Sequence, residues 1–145
     1  MSGIIGGAGS KSGFIGESFG RTIVPSFHAV GNSFTANGGD VEYSNVLFNQ
    51  GGHYDGTKNF TAPVTGVYSI SWSLKGTSSG ISVYSRVKID GTSTGPGLEF
   101  LNDITSAHTH MSFIHRLLAG QVIKIGSGSN VLCDGSDSFS VCLLG

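Results

Sequence analysis

Charge, cysteine and long apolar runs are all scarce in this chain. Lys, Arg, Asp and Glu together make up 12% of the 145 residues, and the formal net charge is -1. Proteins that hold nucleic acid or an anionic membrane surface need clustered positive charge, so we expect neither partner. No apolar run approaches the roughly 18 residues of a membrane span, so we expect no membrane insertion.

An export signal is also missing from the sequence. The N-terminus has no basic start followed by an apolar block, and Ser2 occupies the position where N-myristoylation needs glycine. We therefore expect a chain without an export address.

The two cysteines, Cys133 and Cys142, are too few for a disulfide framework and have no partners at zinc-finger spacing. Two buried thiols are the favoured interpretation, and a bridge across one hairpin is the alternative. We expect no cofactor and no metal.

Glycine, in contrast, is abundant: the chain has 24, and seven lie in the first twenty positions. Such a stretch cannot form a regular helix or strand interior. Beyond it, short runs rich in Val, Ile, Phe, Ser and Thr are separated by turn sequences such as NGGD, QGGHYDG and DGSD. About eight strands are expected, which predicts an all-β fold built as a two-sheet sandwich or jelly roll.

Two segments show the alternation of a strand with one wet face. In GVYSISWSL, large apolar residues alternate with Ser69, Ser71 and Ser73. In ISVYSRVKID the alternation continues, and only Ser85 breaks the apolar set. HMSFIHRLLAGQVIKI is interrupted by Gly120 and predicts strand, turn, strand.

The segment YSNVLFNQGGHYDGTKNFTAPVTGVYSISW, residues 43–72, resembles the signature region of the C1q-like domain, the complement globular head related to the tumour necrosis factor jelly rolls. Tyr43 and Ile70 stand where that family prefers Phe, and the gap from Tyr54 to Phe60 is one residue short. RVKIDG, HRLLAGQVIKI and FSVCLLG resemble later family elements in the right order. The signature positions are filled by Tyr43, Asn49, Tyr54, Phe60, Gly66, Tyr68, Ile70 and Trp72.

The resemblance implies a C1q/TNF-like jelly roll over residues 26–145, and the Gly-rich composition before it predicts an extended arm at residues 1–25. The resemblance also implies a homotrimer that serves as a recognition or assembly head and not as an enzyme. Large aromatic side chains are expected in the sandwich interior because burial there removes the most apolar surface from water. The residues assigned to this core are Tyr54, Phe60, Tyr68, Trp72 and Phe139.

No GxSxG elbow or recognised cysteine nucleophile is present, so no catalytic residues are assigned. His108 and His110 are two apart and would project from one face of a strand, a spacing that can suit a metal. Near a threefold axis, one histidine from each subunit could complete such a site. The favoured alternative is a pair of exposed or interface histidines that only form hydrogen bonds, because no obvious carboxylate closes the set. The aspartates beside Gly or Ser are expected to bond their own turns.

The stretch GIIGGAGSKSGFIG, residues 3–16, has some features of a phosphate loop. Ser10 precedes Lys11 where that motif needs glycine, and no helix is visible after it, so a nucleotide site is not expected. The echo of GIIG in GFIG instead places apolar side chains on a Gly-rich segment, which predicts a docking arm that becomes ordered on a partner. The docking side chains are Ile4, Ile5, Phe14 and Ile15.

The start Met-Ser-Gly-Ile-Ile-Gly resembles small virion proteins of tailed bacteriophages. Together the two resemblances imply a trimeric capsid cement or decoration protein, assembled in the host cytoplasm, whose arm binds the major capsid protein or another virion protein. Its outer tip would be free to contact a host cell-surface glycan or protein. The chain shows no coiled-coil, β-helix or collagen-like stalk, which favours the capsid over the tail. The alternatives are a receptor-binding head at a tail-fibre or tailspike tip and, third, a non-viral C1q-like adhesion module.

Overall fold

A computed structural model describes residues 23–76, 83–93, 99–102 and 108–145. Within these ranges the chain forms eleven strands and no helix, so no described segment is a long apolar helix of the kind that crosses a membrane. The four docking side chains assigned to the arm lie outside the described residues. The strands are β1 (Ser26–Val30), β2 (Phe34–Asp40), β3 (Asn45–Gln50), β4 (Phe60–Thr61), β5 (Gly66–Gly76), β6 (Val83–Ile89), β7 (Thr92–Ser93), β8 (Glu99–Asn102), β9 (His108–Leu117), β10 (Val122–Cys133) and β11 (Ser138–Leu143).

The strands pair antiparallel in two sheets. Sheet one has the order β3-β1-β11-β5-β9. In sheet two, β10 lies between β6 on one side and β2 and β4 on the other, and β7 and β8 pair with the far side of β6. The sheets join at one end, where Val131 and Leu132 of β10 pair with Gly76 and Lys75 of β5. The predicted all-β sandwich is confirmed, and short strands such as β4 and β7 raise the strand number above the expected eight.

The core lies between the two sheets and is aromatic at its centre. The ring of Phe27 stacks on that of Tyr54, with centroids 4.1 Å apart, and meets Phe139 edge to face at 4.9 Å. Offset and edge-to-face pairs of this kind add to the free energy of burial. The aromatic residues assigned to the core from sequence are all at most 3% exposed: Tyr54, Phe60, Tyr68, Trp72 and Phe139.

Ser73 of β5 and Ser85 of β6 are both buried, and Ser73 contradicts the wet-face prediction for β5. Ser73 is fully buried, and its Oγ accepts the backbone N–H of Ser138 at 2.8 Å. Ser85 of β6 is also buried, and the indole Nε1 of Trp72 donates to its Oγ at 3.1 Å. A hydroxyl group can be buried at low cost when it has a hydrogen-bond partner. The Trp72–Ser85 bond therefore links the two sheets through the core.

The dipeptide Asp90–Gly91 closes the β6–β7 hairpin. Both residues have positive φ, 51° and 77°. A two-residue turn of this type matches the right-handed twist of the flanking strands and favours Asp-Gly. The turn predicted from the sequence DG is therefore formed by the residues suited to it.

Asp55 organises the turn that precedes β4. Its Oδ1 accepts the backbone N–H groups of Thr57 and Lys58, both at 2.8 Å, and of Asn59 at 3.1 Å. The side-chain amide of Asn59 donates to Oδ2 at 2.6 Å. Partial burial acts to raise the pKa of Asp55, but these hydrogen bonds to the carboxylate outweigh it and lower the pKa to about 2. The charged form is therefore part of the turn.

Replacing Asp55 by asparagine is expected to cost about 1 kcal/mol at pH 7, because the side chain is exposed and solvent screens much of the interaction. The folded-state pKa lies below the unfolded value of about 3.9, so the contribution is complete above that pH and is lost as the pH falls towards 2. Urea unfolding at pH 7 and pH 2 measures the difference. Glu42→Gln, in a surface pair with Lys58 at 3.8 Å, is the control that should keep the wild-type pH dependence. The prediction is contradicted if the difference in unfolding free energy between the wild type and Asp55→Asn is equal at both pH values.

Candidate functional site

The outer face of sheet one carries a shallow trough of about 300 Å³. The antiparallel register places Ser140 of β11 beside Ser71 of β5, and their Oγ atoms lie 2.7 Å apart. Because the floor carries small side chains, another surface can approach the sheet closely. We call this feature the sheet-one trough; it is lined by Ser26, Phe27, His28, Phe48, Ser69, Ser71, Ser140, Val141 and Cys142.

Large exposed apolar side chains lie on both edge strands of sheet one. On β3, Leu47 is 59% exposed and Phe48 is 50% exposed. On β9, at the opposite edge, Ile114 is 65% exposed. Apolar side chains around a face that the described residues leave uncovered are typical of a protein interaction surface.

A register shift explains how β3 exposes its apolar residues. The pairing of β1 with β3 shifts between His28 and Ala29, so Leu47 has no Cα partner in β1. Such a bulge redirects a side chain away from the regular face. The strand NVLFNQ also contains no charged residue and no proline, the usual devices that protect an edge strand from pairing. The edge therefore suits contact with another chain.

His108 and His110 both project from the outer face of β9 and are exposed, as the spacing predicts for one strand face. The Nδ1 of His108 lies 3.1 Å from Oδ1 of Asp137, whose side chain is fully buried. Oδ2 of Asp137 accepts the N–H of Asp134 at 3.1 Å. Among the described residues, no three His, Cys, Asp or Glu side chains form a group suited to a metal. His108 is thus a partner for the buried carboxylate of Asp137. The two residues are 29 positions apart, so the sequence alone does not indicate the pair.

Ser136 lies beside the His108–Asp137 pair, so a serine, a histidine and an aspartate are neighbours in the structure. Its Oγ is 3.5 Å from Nε2 of His108 but donates to Oδ1 of Asp134 at the shorter distance of 2.5 Å. The hydroxyl proton is thus directed to a carboxylate and not to the imidazole, which a serine nucleophile requires as its base. The group acts as a capped turn that ties β9 to the β10–β11 connection.

The cysteines are not bridged. Burial raises the pKa of the Cys133 thiol, and the nearby carboxylates of Asp137 and Asp134 raise it further. Cys133 is therefore protonated and unreactive at neutral pH. Cys142 is half-buried on the floor of the trough, so of the two expected buried thiols only Cys133 is fully enclosed.

The outer face of sheet two carries paired charges. Lys88 and Lys124 each place Nζ 2.6 Å from a carboxylate oxygen of Asp40. Burial opposes the charge of Asp40, but the hydrogen bonds from Lys124 and Lys88 lower its pKa. The carboxylate bridges the two cations, so these lysines do not act as an unpaired basic patch.

Similarity to solved structures identifies the fold. The globular domain of zebrafish complement 1qA protein matches with a TM-score of 0.65 at 18% identity, over 84% of this chain and 98% of that one. The fold is a C1q/TNF-like jelly roll. Murine APRIL, in its structure at pH 8.5, matches with a TM-score of 0.65 at 13% identity, over 83% of this chain and 99% of that one.

The C1q/TNF-like fold expected from residues 43–72 is thereby confirmed. No family model matches the chain, and no curated protein matches its sequence. The likeness is one of fold, and the function has to be argued from the surfaces of this chain.

Proposed function

We propose that this protein is a homotrimeric decoration, or cement, protein on the capsid of a tailed bacteriophage. The observation that carries the proposal is the sheet-one trough, with Phe48 in its lining and Ile114 paired in register with Ser69 of its lining. It gives a C1q/TNF-like sandwich one face suited to self-association. The Gly-rich arm with its apolar side chains and the Met-Ser-Gly-Ile-Ile-Gly start support attachment to a virion.

A closed trimer needs two different surfaces on each copy that fit one another. In our proposal the β9 edge, with Ile114, enters the trough of the next copy, where Ser69 and Ser71 leave space and Phe48 supplies an apolar wall. Three such contacts close a ring around an axis. His110 projects from the same face as Ile114 and would lie at or near this interface.

In this proposal the N-terminal arm binds the major capsid protein or another virion protein. The docking side chains are Ile4, Ile5, Phe14 and Ile15. Three arms on one trimer bind jointly, so each arm raises the effective concentration of the others. Binding to the assembled shell and not to its free subunits stabilises the shell by mass action. The outer end of the head remains free for a host cell-surface glycan or protein. The mechanism is mechanical and uses no catalytic residue, cofactor or metal.

Deleting residues 1–20 is expected to abolish attachment to the particle and to leave the head folded. Purified protein is added to particles that lack it, and bound copies are counted after sedimentation and imaged by cryo-electron microscopy. The intact chain should cover the capsid in many copies. Lys11→Ala, which keeps all four apolar docking residues, is the matched control and should bind normally.

Unchanged occupancy after the deletion would reject the docking arm. A few copies at the tail, with a bare capsid, would reject the decoration role and support the receptor-binding head instead. Circular dichroism of the truncated protein establishes that its head is folded.

A further inference from the structure

Five of the eight large apolar side chains that the described residues expose lie at one end of the sandwich. Their exposed fractions range from 38% to 56%. An aliphatic cluster of this kind on a water-exposed end indicates a surface that is covered in use. We call it the base patch; it consists of Ile23, Val64, Val67, Leu118 and Leu144.

Two hydrogen bonds connect the segments that carry the base patch. The N–H of Leu144 donates to the carbonyl of Val67 at 2.7 Å. The N–H of Ala119, next to Leu118, donates to Oγ1 of Thr65, next to Val64, at 3.0 Å. The patch is therefore formed by four segments of the head: the residues before β1, the chain that leads into β5, the turn after β9 and the C-terminal segment.

Ile23, a member of this patch, is the first residue that the structure describes. Pro25, two residues later, accepts a hydrogen bond from the N–H of Leu143 at 3.0 Å, so the chain enters beside the C-terminal segment. Twenty-two residues precede Ile23, and Ile15 is eight residues away from it. Eight residues span at most about 28 Å, and their average reach as a Gly-rich coil is roughly 16 Å. Phe14 and Ile15 are thus tethered within reach of the whole patch.

The charges beside the base patch also favour the segment around Phe14 and Ile15 as the group that covers it. Arg116 of β9 is exposed and pairs in register with Val67, which places a cation at the border of the patch. Glu17 follows Ile15 by two residues and supplies the opposite charge. Residues 12–20 carry three apolar side chains, Phe14, Ile15 and Phe19, with the carboxylate of Glu17 between them, which matches an aliphatic patch bordered by one arginine.

We propose that residues 12–20 lie on the base patch of their own chain before the protein docks, with Phe14 and Ile15 against the aliphatic side chains and Glu17 beside Arg116. Tethering gives the segment an effective concentration in the millimolar range, so a weak contact is enough to populate the bound state. The entropy lost when a Gly-rich segment becomes ordered offsets much of the free energy gained by the contact. The contact therefore opens when a partner competes for the arm. We call this contact the latch, because it would keep the arm covered until the protein docks. That role rests on the proposed function, but the contact itself does not.

Photo-crosslinking tests the contact on the purified full-length chain. Phe14 is replaced by p-benzoylphenylalanine, and the crosslinked peptides are mapped by mass spectrometry. Crosslinks to the peptides that carry Val64, Leu118 or Leu144 are expected. The same probe at Phe48 should not label these peptides. Crosslinks from position 14 to other surfaces, or none above the level in denaturant, overturn the proposal.

The crosslinking is repeated on isotopically labelled and unlabelled chains that have been unfolded and refolded together, so that any trimer contains both. Products within one copy are expected, and products between copies would show that the patch holds the arm of a neighbour, which overturns the own-chain contact.

Hydrogen exchange provides a second test with exposed, fold-compatible substitutions. The variant Leu118→Ser with Leu144→Ser should speed exchange in residues 12–20 by about threefold or more, since release removes local protection. The control Lys58→Ser, at a surface residue that belongs to neither the base patch nor the sheet-one trough, should not change it. Equal rates in the patch variant and the wild type overturn the proposal. Neither result depends on particle binding, so the latch and the capsid role fail separately.

Discussion

Replacing Ile114 by glutamate is expected to convert the trimer into monomers at micromolar concentration. Ile114 is 65% exposed at the β9 edge, and in the proposed trimer it enters the trough of the next copy. A carboxylate there would lose its hydration at three equivalent contacts, at a cost of several kcal/mol each. Light scattering after size exclusion measures the mass, which should fall from three chains to one.

The matched control for this substitution is Leu118→Glu, which introduces the same charge at an exposed aliphatic position away from the trough. It should remain trimeric, and both variants should keep the circular dichroism of a folded β protein. A trimeric Ile114→Glu variant would show that the β9 edge is not the interface. A monomeric wild type would reject the trimer altogether.

Replacing Trp72 by alanine is expected to lower the free energy of unfolding by about 3–5 kcal/mol, the usual cost of emptying a large aromatic site. Trp72 is 1% exposed, and its ring meets that of Phe113 edge to face at 5.9 Å. The loss is enlarged because the buried hydroxyl of Ser85 loses the indole donor at 3.1 Å. Denaturant unfolding at a fixed protein concentration measures it, since trimer stability depends on concentration.

Two further variants separate the contributions of Trp72. Trp72→Phe keeps most of the ring volume and should cost about 1–3 kcal/mol, the price of an unsatisfied buried hydroxyl. Val64→Ala, on the exposed surface, should change stability by less than about 0.5 kcal/mol. An alanine variant no less stable than the phenylalanine variant would contradict the assigned role of the ring.

The sequence predicts the sandwich well because its strands alternate in hydropathy. In β5, the side chains of Tyr68, Ile70, Trp72 and Leu74 are all buried, as their period of two requires. Ser73 departs from the pattern since its partner, the N–H of Ser138, comes from a strand 65 residues away. Hydropathy records what a side chain prefers in isolation, whereas burial of a hydroxyl depends on the partner that the fold brings.

The surfaces were harder to predict from the sequence for the same reason. The pair His108–Asp137 joins residues that are 29 apart, and neither residue signals the other. The base patch joins isolated aliphatic residues from four segments, each of which resembles an ordinary turn or terminus. The bulge at Leu47 arises from the pairing of β1 with β3, and the sequence of either strand alone does not predict it.

The position of Trp72 gives the protein a built-in optical reporter. The chain has one tryptophan, so all indole fluorescence comes from the interior contact between β5 and β6. Emission from so enclosed a ring shifts to longer wavelength when water reaches it. Separation of the two sheets is therefore visible without any label, whereas the proposed release of the arm and dissociation of the proposed trimer are expected to leave this signal unchanged.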